Sequence, residues 1–573
     1  MLSSTFFCRL CLGTAAFGLF VSCSVSSRIL EEKFDYGKLN RQAAEEYLVP
    51  IRPGGVVYET SSKGAEKETT PFWNGYAMKF IYAPSFDFPA REGAEKYLYV
   101  VSMRNLVPTN SFYYREKGAE RAELPMNERD NRIWSFKSDS PESSLSPIWK
   151  DIPVGEVRLD VIALDASGKA IDTVGHREFL RDYPFEGPYN DAVRPYGEAA
   201  KMAMVAIHRM SAIQYWLNHT QPDMSYGHNC YPCKTIGSTI RLEVLLARTI
   251  GDMAPDAIRI AENAGEFLIS QSGAEGTPLA YFPPTYYGKK ITANNVAYEN
   301  LSMTMEASAA AMAFLDLYDY TGNAKYLKQA EGIARTYQAI QRPDGSFPAK
   351  INFNTGESAT DASAMLHPLC KFLYRLKSQY GIEEYEAVRL KSEKWMRDVP
   401  MKRFEFIGQF EDVKVNGLKP YENLTNCTAA PYAAYLLEKK SPSVQDIRDA
   451  EDLLRFSEDQ FVIWDQLPNK YGVRRMSTPG VFEQYSYRVP IDCSVYNVAS
   501  GLLAAYKVTK DKLYLAKAKA LVDNITINQN AGTGQIATSW NLYPIEKDRA
   551  FWVNCSMSSI EILLELDETL KGK

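Results

Sequence analysis

The chain has 573 residues, of which 45% are apolar and 24% charged, and its formal net charge is −5. These values are typical of globular domains and exclude a disordered or collagen-like chain. They also argue against a basic surface that binds nucleic acid, so no nucleic-acid partner is expected. The 36 Tyr, 26 Phe and 8 Trp suit either large cores or clefts that stack on sugar rings, so a carbohydrate ligand enters consideration.

Residues 1–22 have the features of an export signal. One charge, Arg9, precedes an apolar run that ends at Val21 and is too short for a membrane span. The run leads to Ser22 and Cys23, which resembles a bacterial lipobox, so Cys23 is predicted to be acylated and to begin the mature chain. The resemblance implies a membrane-anchored lipoprotein, periplasmic or at the cell surface, with the lipid bilayer as a partner. Ordinary secretion with cleavage near Ser22 is the alternative.

A tether is predicted over residues 23–44, and strand patterns follow over 45–190. Residues 97–101 are rich in β-forming side chains, and apolar and polar residues alternate over 157–161. A turn at 165–169 completes a hairpin signature. Several such strands predict an N-terminal β-sandwich over residues 45–190.

From residue 191 onward the pattern is helical and repetitive. The segment 321–327 is similar to 509–515, and each copy is followed at the same offset by a glutamine and then by a turn that contains glycine. The wide gap between two of these glutamines accommodates a unit that ends near Asp398. This spacing suits a repeated pair of helices. The glutamines that end successive units are Gln271, Gln341, Gln460 and Gln529.

Segments rich in small residues lie between these helices and predict a tightly packed inner ring. Representative positions are Ala309, Ala362, Ala430 and Ala499. Counting a first helix from residue 196 gives six outer–inner pairs. This arrangement resembles the six-hairpin, or (α/α)6, toroid of many carbohydrate-active enzymes, so a toroidal catalytic domain is predicted over 191–573. With the export signal and the β-domain, the chain resembles exported lipoproteins of bacterial glycan-degradation systems.

The toroid resemblance implies that all inner helices run in one direction, so their N-terminal ends meet at one mouth. Glu299 and Glu422 fall in this region, each within a Tyr-Glu-Asn-Leu tetrad, and so do Asp361, Asp492 and His228. Glycoside hydrolysis requires one carboxylic acid and one carboxylate on either side of the scissile bond. Glu299 and Glu422 are therefore the predicted catalytic pair, Asp361 and Asp492 the reserve pair, and His228 a further candidate. Helix capping is the alternative role of each acid.

The predicted substrate is an oligosaccharide or polysaccharide. An acidic sugar is favoured, because a guanidinium group such as that of Arg488 can bind a uronate carboxylate with two hydrogen bonds. Aromatic rings in the same loops are expected to stack on sugars, with buried packing as the alternative. The predicted substrate-binding residues are Tyr286, Tyr287, Asn300, Asn423, Tyr485, Arg488, Trp540 and Trp552.

Two other functions remain open. A polysaccharide lyase shares the toroid and would use His228, Tyr485 and Arg488 for β-elimination from a uronate. A surface glycan-binding lipoprotein would keep an aromatic cleft but lack apposed acids. The distance between carboxyl groups in the cleft separates a hydrolase from the other two.

Cysteine chemistry is expected to be minor. Cys230 and Cys233 share C-x-x-C spacing, but no second pair follows at zinc-finger distance. A resemblance to zinc–cysteine arabinofuranosidases stops at these two residues, since the adjacent cysteine pair of that family is absent. No metal site and no cofactor are predicted, and the sequence gives no indication of the oligomeric state. The remaining cysteines of the toroid are interpreted as buried free thiols: Cys370, Cys427, Cys493 and Cys555.

Overall fold

The computed structural model of the chain describes residues 34, 39, 77, 79–105, 132–288, 300–404, 406, 425–465, 476–484, 487–540 and 551–572. The N-terminal strands are β1 (Lys79–Phe80), β2 (Ser85–Asp87), β3 (Lys96–Asn105), β4 (Ile133–Ser138), β5 (Glu142–Ser144), β6 (Gly155–Leu164) and β7 (Ala170–Arg181). Shorter strands lie in later loops: β8 (Leu301–Met303), β9 (Lys350–Asn352), β10 (Val462–Ile463), β11 (Gly480–Gln484) and β12 (Tyr487–Pro490).

Twelve long helices alternate between two layers within these ranges. The outer helices are α1 (Tyr196–His208), α3 (Ala254–Gln271), α5 (Ala324–Ile340), α7 (Glu386–Asp398), α9 (Val444–Phe461) and α11 (Lys512–Asn528). The inner helices are α2 (Gly237–Thr249), α4 (Glu306–Thr321), α6 (His367–Tyr380), α8 (Asn426–Glu438), α10 (Asp492–Thr509) and α12 (Val553–Lys571).

The N-terminal strands form a mixed sheet in the order β1-β7-β6-β3-β4, with only the β1–β7 pair parallel. Val157, Leu159 and Val161 of β6 are fully buried, and the residues between them are half-buried. The hairpin between β6 and β7 is closed by Asp165, whose side chain accepts hydrogen bonds from the backbone of Ser167 and Lys169, both at 2.9 Å. The predicted alternation and hairpin are therefore confirmed.

A second, smaller layer covers one face of this sheet. β2 and β5 pair with each other, and Phe86 of β2 contacts Phe80 and Phe179 with ring centroids 5.9 Å apart in each case. In the described part of the N-terminal region this layer has only two strands. A sheet domain is thus present, but the predicted β-sandwich is not confirmed.

The helical region is a closed ring. Each inner helix contacts the next inner helix along the chain, and α12 contacts α2. Every inner helix also packs on an outer helix, and the first outer helix, α1, packs on the last inner helix, α12. The six predicted outer–inner pairs are confirmed. Because helices alternate between layers, all inner helices begin at the same end of the ring, which is called the mouth below.

Small residues permit the inner helices to approach closely. Ala309, Ala430 and Ala499 lie on inner helices as predicted. At Gly501 of α10, an added Cβ would lie 2.6 Å from Leu454 Cδ2 and 3.2 Å from the carbonyl oxygen of Ala430. Any side chain at position 501 would therefore crowd the carbonyl of Ala430 in α8 and require the side chain of Leu454 in α9 to move.

The position of Ala362 differs from the prediction. It lies in the loop before α6, which begins only at His367. The backbone N–H of Ala349 donates to the carbonyl of Ala362 at 2.8 Å, and Pro348 and Ser363 form an isolated β-bridge. This pairing uses backbone groups that a helix would need internally, so the inner helix starts later than its alanine content suggested.

The repeated glutamines have a structural role at the ends of outer helices. The side-chain amide of Gln341 donates to the carbonyl of Gly345 at 3.2 Å, and that of Gln529 donates to Gly534 at 2.8 Å. Both glycines have positive φ, 93° and 81°. The repeat therefore encodes a helix end with its turn, as a glycine without a Cβ allows.

Buried ionic groups join the sheet domain to the ring. Lys79 of β1 lies 3.0 Å from Asp182 and donates to the carbonyl of Val462 at 2.9 Å. Asp459 of α9 accepts hydrogen bonds from the backbone N–H groups of Ile81 at 2.7 Å and Tyr82 at 3.0 Å.

A second ion pair lies beside this contact. Lys517 of α11 and Glu458 of α9 are 2.7 Å apart, with side chains only 1% and 5% exposed. Lys517 also donates to the hydroxyl of Tyr82 at 3.1 Å, and Glu458 accepts from Trp464 Nε1 at 3.0 Å. Both charges are therefore satisfied within the protein.

Among the residues that the structure describes, no helix is both long and apolar enough to cross a bilayer. The predicted signal peptide and Cys23 lie outside those residues. So does the tether over 23–44, apart from Phe34 and Leu39. The domain boundaries proposed from the sequence stay predictions.

Candidate functional site

The mouth is built where the chain enters α2 and α12. A 3-10 turn at Gly227–Cys230 and a π-helical turn at Pro232–Ile236 lead into α2. Trp552 is the residue immediately before α12. The rings of His228 and Trp552 lie 3.7 Å apart with a tilt of 37°. These two predicted site residues meet only because the ring closes between α12 and α2.

Trp552 is the centre of an aromatic and cationic group. Tyr231 is stacked on it with centroids 6.1 Å apart, and the ammonium group of Lys234 lies 5.1 Å from the Trp552 ring centroid. Tyr231 is buried, whereas Trp552 is only half-buried. The mouth therefore has a partly accessible indole bordered by an imidazole and an ammonium group.

Tyr226 fixes the start of α12. Its hydroxyl donates to the carbonyl of Phe551 at 3.0 Å and accepts from the backbone N–H of Val553 at 3.1 Å. Burial raises the pKa of Tyr226 well above its ordinary value. Because both hydrogen-bonding functions of the hydroxyl are occupied, Tyr226 holds Trp552 in place and is a poor proton donor or acceptor for a substrate.

Asp492 lies at the first position of α10, at the inner-helix start that the sequence predicted. Its side chain is fully buried, and one oxygen accepts a hydrogen bond from the N–H of Cys493 at 2.7 Å. Burial raises the pKa of Asp492 well above the ordinary range, and the charge of Glu483 raises it further, against the effect of the Cys493 N–H. The buried position therefore favours the neutral form of this carboxyl group over the charged form.

Two cysteines converge on this carboxyl group from the first turns of α10 and α12, and Cys427 in the first turn of α8 interacts with one of them, Cys493. Ligand atoms of Asp492, Cys493 and Cys555 all lie within 4.8 Å of one another. Cys427 lies nearby, with its sulfur 2.9 Å from the hydroxyl oxygen of Thr425. Burial raises the pKa of Cys427 to about 12. The interpretation of these cysteines as free thiols is confirmed, but Cys427 and Cys493 are only half-buried, and the sequence did not predict that Cys493 and Cys555 lie together with Asp492.

The other cysteines match the sequence interpretation more closely. Cys370 is fully buried in α6, and Cys230 and Cys233 are buried free thiols. The thiol of Cys233 donates to the carbonyl of Pro283 at 3.4 Å. The C-x-x-C pair is therefore part of the packing beneath the mouth.

A cavity of about 210 Å³ opens along the ring axis next to the cluster, lined in part by His367, Lys371, Cys427 and Tyr496. A second cavity of about 350 Å³ shares Arg241, Lys371 and Tyr496 and continues along inner-helix residues. Burial, followed by the charge of Lys371, lowers the pKa of His367 to about 3. His367 is accordingly a neutral imidazole in a polar lumen.

Several predicted site residues cannot be placed. Glu299, Glu422, Asn423 and Tyr485 lie outside the described residues, and of Arg488 only the backbone, in β12, is described. Their roles stay predictions.

The backbone that follows Glu299 contradicts the premise that this residue lies in the first turn of an inner helix. Asn300 has φ of 61°, and its carbonyl accepts from the N–H of Phe353 at 2.6 Å. β8 then pairs with β9, and α4 begins only at Glu306. Glu299 therefore precedes a strand and is not in the first turn of the helix, as the capping argument required.

The remaining predicted residues have mixed surroundings. Asp361 is exposed in the loop before α6. Tyr286 is half-buried, 6.2 Å from Tyr231, and so borders the mouth. Tyr287 donates from its hydroxyl to Gln221 at 2.9 Å.

Trp540 is 1% exposed and donates from Nε1 to the carbonyl of Ala537 at 2.9 Å, so both of its ring faces are covered.

Sequence reasoning missed Lys234, Glu306 and His367. Glu306 and His367 occupy the first positions of α4 and α6, so correct helix starts would have revealed them. Lys234 gave no such signal, because a lysine near a helix start is usually a solvated surface residue. Its relation to Trp552 depends on the tertiary structure.

No family model matches the sequence, and no curated protein matches it. Similar solved structures include a family 76 glycoside hydrolase from a bovine Bacteroides thetaiotaomicron strain, with 8% identity, a TM-score of 0.41, and coverage of 84% of this chain and 94% of that chain. Cellobiose 2-epimerase from Spirochaeta thermophila DSM 6192 has 10% identity, a TM-score of 0.45, and coverage of 66% and 98%.

An unsaturated glucuronyl hydrolase specific for heparin has 13% identity, a TM-score of 0.43, and coverage of 66% of this chain and 98% of that chain. Similarity at this level carries no inference about activity. The ring architecture of this chain rests on its own helix contacts.

Proposed function

We propose that the chain is a glycan-degrading enzyme, a glycoside hydrolase whose active site is the mouth of the ring. The observation that supports this most directly is the half-buried ring of Trp552, whose centroid lies 3.7 Å from the ring centroid of His228 and 5.1 Å from the ammonium nitrogen of Lys234. An apolar face with a few convergent polar groups is the usual chemistry of a small-ligand site. A sugar presents the matching surface, with C–H groups on one ring face and hydroxyls at its rim.

Glu299 and Glu422 are the proposed acid and base. They precede α4 and α8, whose N-terminal ends face the mouth, and Asp361 is the exposed reserve. Asp492 is a weaker candidate for direct proton transfer, because it is fully buried and a glycan cannot touch it without rearrangement.

An acidic sugar is the proposed substrate class. Lys234 carries a positive charge beside the Trp552 ring, which favours a carboxylate on a stacked uronate. The cavity of about 210 Å³ inside the ring, lined in part by Cys427, is smaller than the roughly 300–1,000 Å³ of sites that enclose drug-sized ligands. It therefore accommodates one terminal group more readily than the interior of a polysaccharide.

A polysaccharide lyase is the second candidate, favoured by the placement of His228 and Lys234 beside the same indole. In β-elimination an imidazole would remove the proton next to the uronate carboxylate, and a cation would neutralise that carboxylate. This candidate produces an unsaturated uronate, which a hydrolase acting on a saturated glycan does not.

We also propose export and anchoring through acylated Cys23. Replacing the acylated cysteine removes every acyl chain, and stable anchoring needs more than a weak single signal. Cys23→Ala should therefore move the protein from the membrane fraction to the soluble fraction. A variant that stays entirely with membranes would contradict the anchor.

The activity is tested with the purified protein and a panel of plant and host polysaccharides and oligosaccharides. Reducing ends report hydrolysis, and ultraviolet absorbance of an unsaturated uronate reports elimination. Reducing ends without that absorbance support the hydrolase, and both together support the lyase. Binding without either product would support the glycan-binding alternative.

Glu299→Gln and Glu422→Gln then test the proposed pair. Loss of general acid–base catalysis should lower turnover on the order of 10²–10⁴-fold with little change in stability. Glu383→Gln, at an exposed position between α6 and α7, is the control. If neither glutamate transfers a proton, turnover of both variants stays near wild type. The assignment would then move to His228 and Tyr485.

A further inference from the structure

We propose that Asp492, Cys493 and Cys555 bind a zinc-class divalent cation at the mouth. One carboxylate oxygen and two sulfur atoms, all within 4.8 Å of one another, form a three-ligand set from the starts of α10 and α12. Thiolate sulfur with carboxylate oxygen is a donor set that suits zinc better than magnesium or calcium. This site departs from the sequence, which predicted no metal.

The spacing is compatible with tetrahedral coordination. Zinc bonds of about 2.3 Å to sulfur and about 2.0 Å to oxygen place neighbouring ligand atoms roughly 3.5–3.8 Å apart. The observed limit of 4.8 Å requires only a small inward rotation of the side chains. Asp492 and Cys493 are adjacent in the first turn of α10, and Cys555 enters from the neighbouring inner helix. Ring closure therefore supplies the third ligand.

An independent observation points to a ligand. Asp492 is fully buried, and within the described ranges its second carboxylate oxygen has no hydrogen bond of normal geometry. The side chain that interacts with this carboxyl group is that of Cys555, another member of the same three-ligand set. Leaving such a group unsatisfied costs free energy, and native proteins rarely tolerate it without an ion or a water molecule. A cation bound between this oxygen and the two sulfurs would satisfy it.

The positive charge of Lys234 offsets the net charge of the proposed metal complex. Two thiolates and one carboxylate around a divalent cation leave one negative charge. The ammonium group of Lys234 is close enough to interact electrostatically with Cys555 and Cys427, so it supplies one positive charge that offsets this net charge. A cation beside a thiol favours the thiolate form that a metal requires.

The proposed metal site is also accessible from the mouth. Cys493 is only half-buried, while Asp492 and Cys555 are buried behind it. Three protein ligands leave the fourth position of a tetrahedral ion open to water or a substrate oxygen, as in catalytic zinc sites. The site is thus placed beside the proposed glycan cleft, but its existence does not depend on glycan cleavage.

Metal binding is tested on the purified full chain after removal of bound metal with a chelator under reducing conditions. Cobalt(II) is then titrated, because it reports thiolate ligation through charge-transfer absorption. We expect saturation at about one ion per chain, as for a single zinc-type site, and displacement by zinc. Metal content of the untreated protein is measured in parallel.

Cys493→Ala and Cys555→Ala should each lower cobalt affinity on the order of 100-fold or more and reduce the charge-transfer band. Cys370→Ala, in α6 and away from the cluster, should bind like wild type. As a test that does not depend on folding of the variants, alkylation of wild-type Cys493 is followed by mass spectrometry with and without zinc. Zinc should protect the thiol.

Three results would overturn the proposal: absence of cobalt–thiolate absorption in folded wild type, equal affinity in wild type and both cysteine variants, or a Cys493–Cys555 disulfide in the untreated protein. Each can occur whether or not the protein cleaves glycans. Failure of the metal site is therefore distinguishable from failure of the proposed function.

Discussion

The contact between the sheet domain and the ring, and the mouth of the ring, both bury ionisable groups, but they satisfy them differently. At the domain contact Lys517 lies 2.7 Å from Glu458, and Lys79 lies 3.0 Å from Asp182. At the mouth Asp492 is equally buried, but it has no ion-pair partner among the described residues. Paired buried charges indicate a structural role, whereas a buried acid without an ion-pair partner indicates a place for a ligand.

This contrast predicts different outcomes for substitutions in the two regions. Changes at the domain contact should lower the free energy of unfolding and leave ligand binding intact in the folded protein. Changes at the mouth should impair ligand binding or turnover while stability stays nearly constant.

The largest expected effect is that of Lys517→Met. It leaves the carboxylate of Glu458 buried without its cation, and breaking a buried pair in this way costs about 3–5 kcal/mol. Urea denaturation measures the loss. Lys507→Met removes a pair of the same length, 2.7 Å to Glu565, but Lys507 is 46% exposed, so the expected loss is at most about 1 kcal/mol.

The matched change at the mouth is Asp492→Asn in metal-free protein. The amide keeps the oxygen that accepts from Cys493 and removes no paired charge, so stability should change by less than about 1 kcal/mol. A loss equal to that of Lys517→Met would break the comparison, because Asp492 would then be a structural group.

The second effect is a pH dependence at the domain contact. Burial raises the pKa of Asp459 from 3.8 to about 6, against the charge of Lys79 and the backbone hydrogen bonds. The folded state therefore holds this proton more tightly than the unfolded chain. The contribution of Asp459 to stability is present below about pH 4 and is lost as pH rises to about 6.

Asp459→Asn should remove that part of the pH profile, which amounts to about 3 kcal/mol at most. Denaturation curves for wild type and variant across this range give the difference. A difference that does not change with pH would mean that Asp459 stays ionised in the folded protein, held by its two backbone donors.

A smaller effect is expected for Trp552→Ala at the mouth. Loss of the aromatic face should weaken binding of the cleaved glycan by about 1–2 kcal/mol, which is roughly 5- to 30-fold, while melting changes little. Trp134→Ala in β4 removes a half-buried indole from the sheet domain and is the control. Equal loss of binding in both variants would place the glycan site elsewhere.

The smallest effect is that of Ser443→Ala on α9. Ser443 and Asp446 form a reciprocal capping box at the start of this outer helix, away from both regions compared. Its loss should cost about 1 kcal/mol, measured by denaturation, without an effect on metal binding. Ser225→Ala, which removes an exposed hydroxyl, should stay within about 0.5 kcal/mol.

Local patterns were sufficient for much of the fold. The alternation in β6, the turn at 165–169 and the six helix pairs are all present, because each depends on side-chain periodicity and turn chemistry within short segments. The pattern failed where a strand separated a loop from its helix. β8 lies between Glu299 and α4, and the bridge at Ser363 delays α6, so helix starts inferred from composition came too early.

The candidate site also combines features that the sequence predicted with features that it did not predict. Asp492, His228 and Trp552 were nominated because each precedes or opens an inner helix, and two of them are in contact. Trp540 was nominated by the same reasoning but is buried. The sequence pattern indicates that an aromatic residue lies in a loop. Whether its ring faces solvent depends on the residues that pack over it in the tertiary structure.

The sequence by itself determined the order of the elements, the alternation of outer and inner helices, and the residues that open several inner helices. Those features follow from interactions among neighbours in the chain. Only the tertiary structure decided that α12 returns to α2, so that Trp552 meets His228 and Lys234, and that Cys555 joins Asp492 and Cys493. The physical reason is that closure of the ring depends on the relative orientation of all six helix hairpins. The resulting contacts join residues that are far apart in the sequence, so they do not affect the local periodicity of side chains.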